Sequence, residues 1–253
     1  METAHKEFQF PFLEVSLPFF DVVLGSLNQT LSVLKIPLFF IKMSEFYCIS
    51  PDYIIRPNPR HHDDTNLTDG WQKEVYEFVR DFMKEKGFQD VIDVGCGSGY
   101  KLVHVLGEFK TYGIETEPCL SLLKEWYPSR MWFDSGKCEE DFQLFEELKE
   151  KDIVICSDVI EHIINPDKLV EFLQSLKAKY YVISTPCREV LVRESGIPNG
   201  GPPFSDAHVR EWTFEEFKMY LSKHFNVLSS VLCPIQRECQ YHLVQLKDGC
   251  GAD

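Results

Sequence analysis

Apolar positions recur along this chain in two rhythms. From Trp71 to Lys86, the residues Val75, Phe78, Val79 and Phe82 fall on one helical face, which predicts an amphipathic helix. Short runs rich in β-branched and aromatic residues follow at 90–94, 111–115, 130–133, 152–156 and 179–184, and these read as strands. Stretches at 99–107, 117–126, 139–149 and 166–177 return to helical spacing. Strands that alternate with helices, and are apolar enough to be buried on both faces, form a parallel sheet covered by helices on either side. Beyond Pro186 no period holds until about Ala207, so a long loop is expected there. A helix is predicted at 213–223, where Thr213 and Glu216 have capping-box spacing. The closing runs, 226–233 and 240–247, are joined by a short connection, which makes them an antiparallel pair at the sheet edge.

The segment before this pattern differs from it. Residues 1–52 hold eight of the chain's twenty phenylalanines. Aromatic-rich segments bury their surface locally, so a cap on the main core is expected, with a lid or an oligomer surface as the alternatives. Residues 53–70 are polar and broken by Pro57 and Pro59, hence a loop. The run His61-His62-Asp63-Asp64 carries metal-ligating side chains, but such runs are ordinarily solvated, and no metal is assigned. The expected division is an N-terminal extension, 1–70, and a main domain, 71–248.

Composition narrows the function classes. The net charge of −14 repels phosphate backbones, so nucleic acid is disfavoured as a partner. Nine scattered cysteines with no C-x-x-C pair fit reduced thiols and a cytoplasmic setting rather than a disulfide framework or zinc ribbon. The most apolar stretch, 17–43, is interrupted by Asp21, Asn28, Gln29 and Lys35, so no membrane span is expected. No secretory leader is expected either.

The candidate chemistry starts where the first strand ends. Asp93-Val94-Gly95-Cys96-Gly97-Ser98-Gly99 is a strand running into a glycine turn, and such turns let a ligand approach the backbone. The next strand ends at Glu115, where a carboxylate can accept both hydroxyls of a ribose. The order of strand, glycine turn, helix, strand and terminal acid indicates a nucleoside pocket. Its spacing is G-x-G-x-G rather than the dinucleotide G-x-G-x-x-G, which disfavours a nicotinamide oxidoreductase. Asp93 stands just before the turn and would repel a pyrophosphate. It suits a ligand bearing an ammonium and a sulfonium, and S-adenosylmethionine has both.

Four motifs then resemble those of the class I S-adenosylmethionine-dependent methyltransferases. Asp93 to Gly99 looks like their first motif, and Gly113-Ile114-Glu115 like their second. Ser157-Asp158-Val159-Ile160-Glu161-His162 looks like the stretch after strand four, and Ser184-Thr185-Pro186 like the end of strand five. The resemblance spans 71–247. It implies a Rossmann-like, seven-stranded, mostly parallel sheet with an antiparallel edge strand. It also implies that Asp93 holds the cofactor's ammonium, that Gly95, Cys96, Gly97 and Gly99 pack against the methionine part and ribose, and that Glu115 takes the ribose hydroxyls. Thr116 would border the adenine, and Ser157 and Asp158 would line the floor near the sulfonium. Where many members carry an acid for the adenine amine, this chain has Gly136-Lys137, with Asp134 and Glu139 as possible substitutes.

Methyl transfer needs alignment and often a base. The candidate catalytic residues are His162, His208 and Arg210, with the 188–206 loop as a candidate lid. The alternative for His162 is a packing role. Asp158-x-x-Glu161-His162 with a distant His208 resembles the E-x-x-E-H motif and downstream histidine that hold a divalent metal in small-RNA ribose methyltransferases. A similar motif occurs in ubiquinone-pathway O-methyltransferases. Asp69-Gly70-Trp71, Gly201-Pro202-Pro203 and His208 to Thr213 look like bacterial polysaccharide-associated methyltransferases. The resulting expectation is O-methylation of a small-molecule or glycan hydroxyl. The alternatives are a metal-assisted RNA ribose 2'-O-methyltransferase and a non-catalytic cofactor-binding module.

Overall fold

Helix α1, Lys73–Lys86, buries Val75, Tyr76, Val79 and Met83, so the buried stripe keeps the predicted Val75 and Val79 but adds Tyr76 and Met83, while Phe78 and Phe82 are only partly buried beside it. Lys84 and Lys86 complement its C-terminal dipole, and Gly87 ends it at φ 69°. In the computed structural model the described residues are 47–62, 64–65, 70–136 and 142–247. The aromatic cap expected over 1–52 therefore lies almost wholly outside the described residues, as do Lys137 and Glu139.

The strands are β1 Asp90–Val94, β2 Lys110–Glu115, β3 Met131–Asp134, β4 Ile153–Ser157, β5 Tyr180–Pro186, β6 Phe225–Leu232 and β7 Cys239–Leu246. They form one seven-stranded sheet in the order β3-β2-β1-β4-β5-β7-β6. The first five are mutually parallel. β7 runs antiparallel to both β5 and β6, so the closing hairpin forms one edge of the sheet. Strand order reverses between β1 and β4. In open α/β sheets this is where ligands bind, outside the carboxyl ends of the strands.

Side chains alternate across the sheet and divide the core in two. Ile92, Val154, Cys156 and Ile183 pack with α4 (Pro166–Ser175) and α6 (Phe214–His224). Val91, Ile153, Ile155 and Val182 pack with α1, with Leu102 of the short α2 (Tyr100–His104) and with Leu123 of α3 (Cys119–Trp126). Asp93 shares a parity with Val91, and it is thereby delivered to the α1 face.

Several elements differ from expectation. The helix predicted at 139–149 is only a 3-10 turn at Glu146–Leu148 among the described residues. The segment after Pro186 is not a continuous loop, because helix α5, Arg188–Ser195, opens it and Gly196 ends it at φ 68°. Its start is anchored by Arg188, whose buried side chain pairs with Glu211, a partner too far along the chain to show as periodicity. The capping box of Thr213 and Glu216 is formed at the start of α6. Cys48 and Ile49 lie within the main core, and residues 53–60 then run as a strap beside 200–209. The amides of Ile54, Arg56 and Arg60 donate to the carbonyls of Gly200, Val209 and Asp206. Among the described residues seven cysteines are free and buried, and no helix is long and apolar enough to cross a membrane.

Candidate active site

At the end of β1 the chain turns through Gly95, Gly97 and Gly99, all with positive φ. A Cβ on Gly99 would meet Leu123 at 2.5 Å, so this glycine serves helix packing and does not line the cavity. Gly97 faces the cavity, and a Cβ there would lie 3.0 Å from the Asp64 side chain. The Gly97 amide donates to Glu115 Oε2 at 3.0 Å, and the Thr116 amide donates to Oε1 at 3.1 Å. The carboxylate is thus held at the mouth of the turn. Burial pushes Glu115 up to about 7 against these two bonds, with Asp64 adding to the rise.

Beneath the turn, Asp93 Oδ2 accepts from Tyr76 at 2.8 Å. Its Oδ1 is buried with no hydrogen-bond partner among the described residues. Burial pushes this carboxyl up to about 7 as well. A buried acid with a spare oxygen fits a cationic ligand group, which would supply the missing partner. On the floor, Ser157 Oγ lies 2.7 Å from Ser184 Oγ, and Ser184 donates to Asp158 Oδ1 at 2.7 Å. Asp158 has φ 53°, a left-handed conformation that aspartate tolerates better than most residues.

The same cavity, about 970 Å³, continues to Glu161, His162 and His208. Its size suits a nucleoside cofactor together with a compact acceptor. His162 Nδ1 lies 2.8 Å from the Ala207 carbonyl, and His208 Nδ1 lies 2.8 Å from Glu211 Oε1. Burial, then the neighbouring His208, push His162 down to about 3. Glu161 Oε2 accepts from Thr185 at 3.0 Å, while its buried Oε1 lacks a partner among the described residues. Burial, then nearby Asp158, hold this carboxyl well above its usual range.

Of the sequence candidates, Asp93 stands under the turn, while Gly95, Cys96, Gly97, Glu115, Ser157, Asp158, His162 and His208 surround the cavity. Thr116 does not line it and touches Glu115 instead. Asp134 is engaged by the Gly136 amide in a local turn. Arg210 is a correction. It was expected to face the pocket, but it is buried and donates to the carbonyls of Ile163 and Ile164, each at 2.7 Å. Tyr47 and Trp212 pack on its guanidinium. The amides of Val209 and Arg210 both turn to the Glu161 carbonyl, and this pairing with a distant segment sets Arg210 beside the turn at 160–164 rather than toward the cavity.

Sequence reasoning passed over four participants. Tyr76 and Gln72 belong to α1 and its approach. Tyr76 bonds Asp93, and Gln72 bonds Asp158. His62 brings its ring 5.5 Å from that of His162, and Asp64 accompanies it. The His-His-Asp-Asp run was the available signal, although nothing local says that it folds back over the cavity.

Residues 66–230, more than half of the chain, match a family described as a methyltransferase domain. No curated protein matches the sequence significantly. Among solved structures, the chain is similar to an S-adenosylmethionine-dependent methyltransferase from Clostridium acetobutylicum ATCC 824. The identity is 17% and the TM-score 0.55, over 70% of this chain and 93% of that one. It is similar also to the N-methyltransferase NodS from Bradyrhizobium japonicum WM9 in complex with S-adenosylhomocysteine, at 12% identity and TM-score 0.53, covering 73% and 95% of the two chains. A third likeness is to the small RNA methyltransferase HEN1, at 20% identity and TM-score 0.50, covering 76% of this chain and 27% of that one. These likenesses are of fold. The family match shows that the chain belongs to the methyltransferase domain family.

Proposed function

We propose that this methyltransferase acts on a hydroxyl of a small molecule or glycan. The observation that carries the reading is the pair of imidazoles at the far end of the cavity. In both His162 and His208 the Nδ1 atom is engaged within the protein, which leaves Nε2 for an acceptor. A hydroxyl is a weak nucleophile until its proton is taken, so a positioned base is the feature such an acceptor requires. His162 is held neutral and is too weak a base to take a proton near pH 7. It is suited to receive a hydrogen bond from the hydroxyl and orient it. His208, backed by the Glu211 carboxylate, is the proton acceptor.

In this reading Asp93 and Glu115 hold the cofactor's ammonium and ribose, Gly95, Cys96 and Gly97 pack against it, and Ser157 and Asp158 line the floor. S-adenosylmethionine supplies the activated methyl carbon, and its sulfonium sulfur is the leaving group, departing as the neutral thioether of S-adenosylhomocysteine. The protein supplies alignment and the proton acceptor. Incubation with methyl-labelled cofactor and a panel of methyl glycosides and phenols tests the assignment. Label is expected in base-stable ethers. Label found only in amines or base-labile esters would overturn it.

One observation favours a second reading, metal-assisted methylation of an RNA ribose. Glu161, His162 and His208 bring a carboxylate oxygen and two imidazole nitrogens within 4.8 Å of one another. The partnerless Glu161 Oε1 and the anchored Nδ1 atoms fit a divalent ion, because ligating imidazoles usually donate their other nitrogen to the protein. These three residues would hold the ion, which would polarise an acceptor hydroxyl. The acidic net charge, −14, weighs against RNA. Metal analysis of purified protein and activity in chelator separate the two readings. Bound divalent metal with transfer abolished by chelator supports the second, and activity indifferent to chelator supports the first.

A further inference from the structure

We propose that Glu211, clamped by Arg188, is a positioning residue that fixes the tautomer of His208, with Nδ1–H directed into the protein and the Nε2 lone pair left for the cavity. The inference deepens the hydroxyl-methylation reading and rests on it for its functional meaning. The geometry is that of a buried relay built across 23 residues of sequence. The Glu211 and Arg188 side chains are 0% and 1% exposed, and they pair at 2.6 Å. The Phe204 amide donates to both Glu211 oxygens, at 2.9 and 3.0 Å, and the Ser205 amide donates to Oε1 at 3.3 Å. Arg188 is itself fixed, because it donates to the Pro198 carbonyl and lies 5.5 Å from the centre of the Tyr53 ring.

The Arg188 guanidinium and the Phe204 and Ser205 amides all donate to Glu211, so both of its oxygens act as acceptors, the pattern of an ionised carboxylate. An ionised carboxylate only accepts, so the contact at 2.8 Å requires a proton on His208 Nδ1. In the neutral ring the other nitrogen then carries the lone pair. His162 has the same tautomer imposed by a backbone carbonyl, which bears no charge. Of the two rings, only His208 has a carboxylate behind it, placed to stabilise positive charge that forms on the ring.

The substitution Glu211→Gln discriminates orientation from mere packing. The amide oxygen stays on the Arg188 side, since that donor is charged, and the NH2 group turns toward His208. It then donates to Nδ1, and the ring proton moves to Nε2. The experiment records ring 15N resonances of histidine-labelled protein saturated with S-adenosylhomocysteine, with His208 assigned by its loss in His208→Gln. Wild-type protein is expected to show His208 protonated on Nδ1, and Glu211→Gln to show it on Nε2. Transfer to a methyl glycoside acceptor should lose roughly ten-thousand-fold in kcat with the cofactor KM unchanged, the order seen when an anchoring carboxylate becomes an amide in hydrolase triads. Wild-type His208 protonated on Nε2 overturns the inference without any variant, so it stays testable if Glu211→Gln fails to fold. An unchanged tautomer in a folded Glu211→Gln overturns it too. An inverted tautomer with full kcat upholds the positioning role and instead removes His208 as the proton acceptor.

Discussion

Arg210 and His208 stand two positions apart in the chain, yet only His208 reaches the cavity. The guanidinium of Arg210 ties the carbonyls of Ile163 and Ile164, which end the 3-10 turn carrying Glu161 and His162. Its work is to hold that turn in place. Arg210→Met is therefore expected to cost stability rather than cofactor binding. Removing the donor leaves a buried carbonyl unsatisfied, worth about 1–3 kcal/mol, and the stacking on Tyr47 and Trp212 is lost as well. Urea denaturation should give a loss of about 2–4 kcal/mol. Calorimetry with S-adenosylhomocysteine should give an unchanged affinity. A variant of native stability that no longer transfers methyl would return Arg210 to the catalytic group.

The strap over residues 53–60, which brings Pro59 and Arg60 to the cavity, was the element least visible in sequence. Arg56 secures it by donating to the carbonyls of Pro203, Ser205 and His208. Arg56→Ala should free the strap, so that amide exchange at Ile54, Arg56 and Arg60 speeds by about tenfold or more while the β1 amides keep their protection. Equal protection of all three amides in the variant would show that the backbone bonds suffice. A smaller effect belongs to α6, where Thr213→Ala removes the cap and should lower stability by about 1 kcal/mol. Elements whose causes are local could be read from the chain. β1, the glycine turn and the Thr213 capping box all announce themselves within a few residues. Features set by distant partners could not. Helix α5 depends on Arg188 meeting Glu211, His62 reaches His162 only once the strap folds back, and Tyr76 meets Asp93 because α1 packs on one particular face of the sheet.

At the scale of the whole molecule, the two buried acids beside the glycine turn work against the stability of the protein. Burial raises Asp93 and Glu115 to about 7, from ordinary values of 3.8 and 4.5. Between those limits the folded protein retains protons that the unfolded chain has released. Their contribution to stability is whole at low pH, declines as pH rises through this window, and is gone above about 7. In the proposed reading a bound cofactor reverses the balance, since its ammonium would meet the free Asp93 oxygen and its ribose hydroxyls would add to the two amide bonds on Glu115. The thermal shift on adding S-adenosylhomocysteine should therefore be larger at pH 8 than at pH 6. A hundredfold excess over Kd contributes about 2.7 kcal/mol, which for a domain of this size is roughly 5–10 °C in Tm. Glu115→Gln separates the two effects within one side chain. Without cofactor it should melt above wild type at pH 8, with the difference closing by about pH 5, because it has no charge to bury. With cofactor its shift should be small and nearly independent of pH. If the shift were the same at both pH values in wild type, or as large in Glu115→Gln as in wild type, Glu115 would not be the ribose partner, and its burial would have to be explained by packing alone.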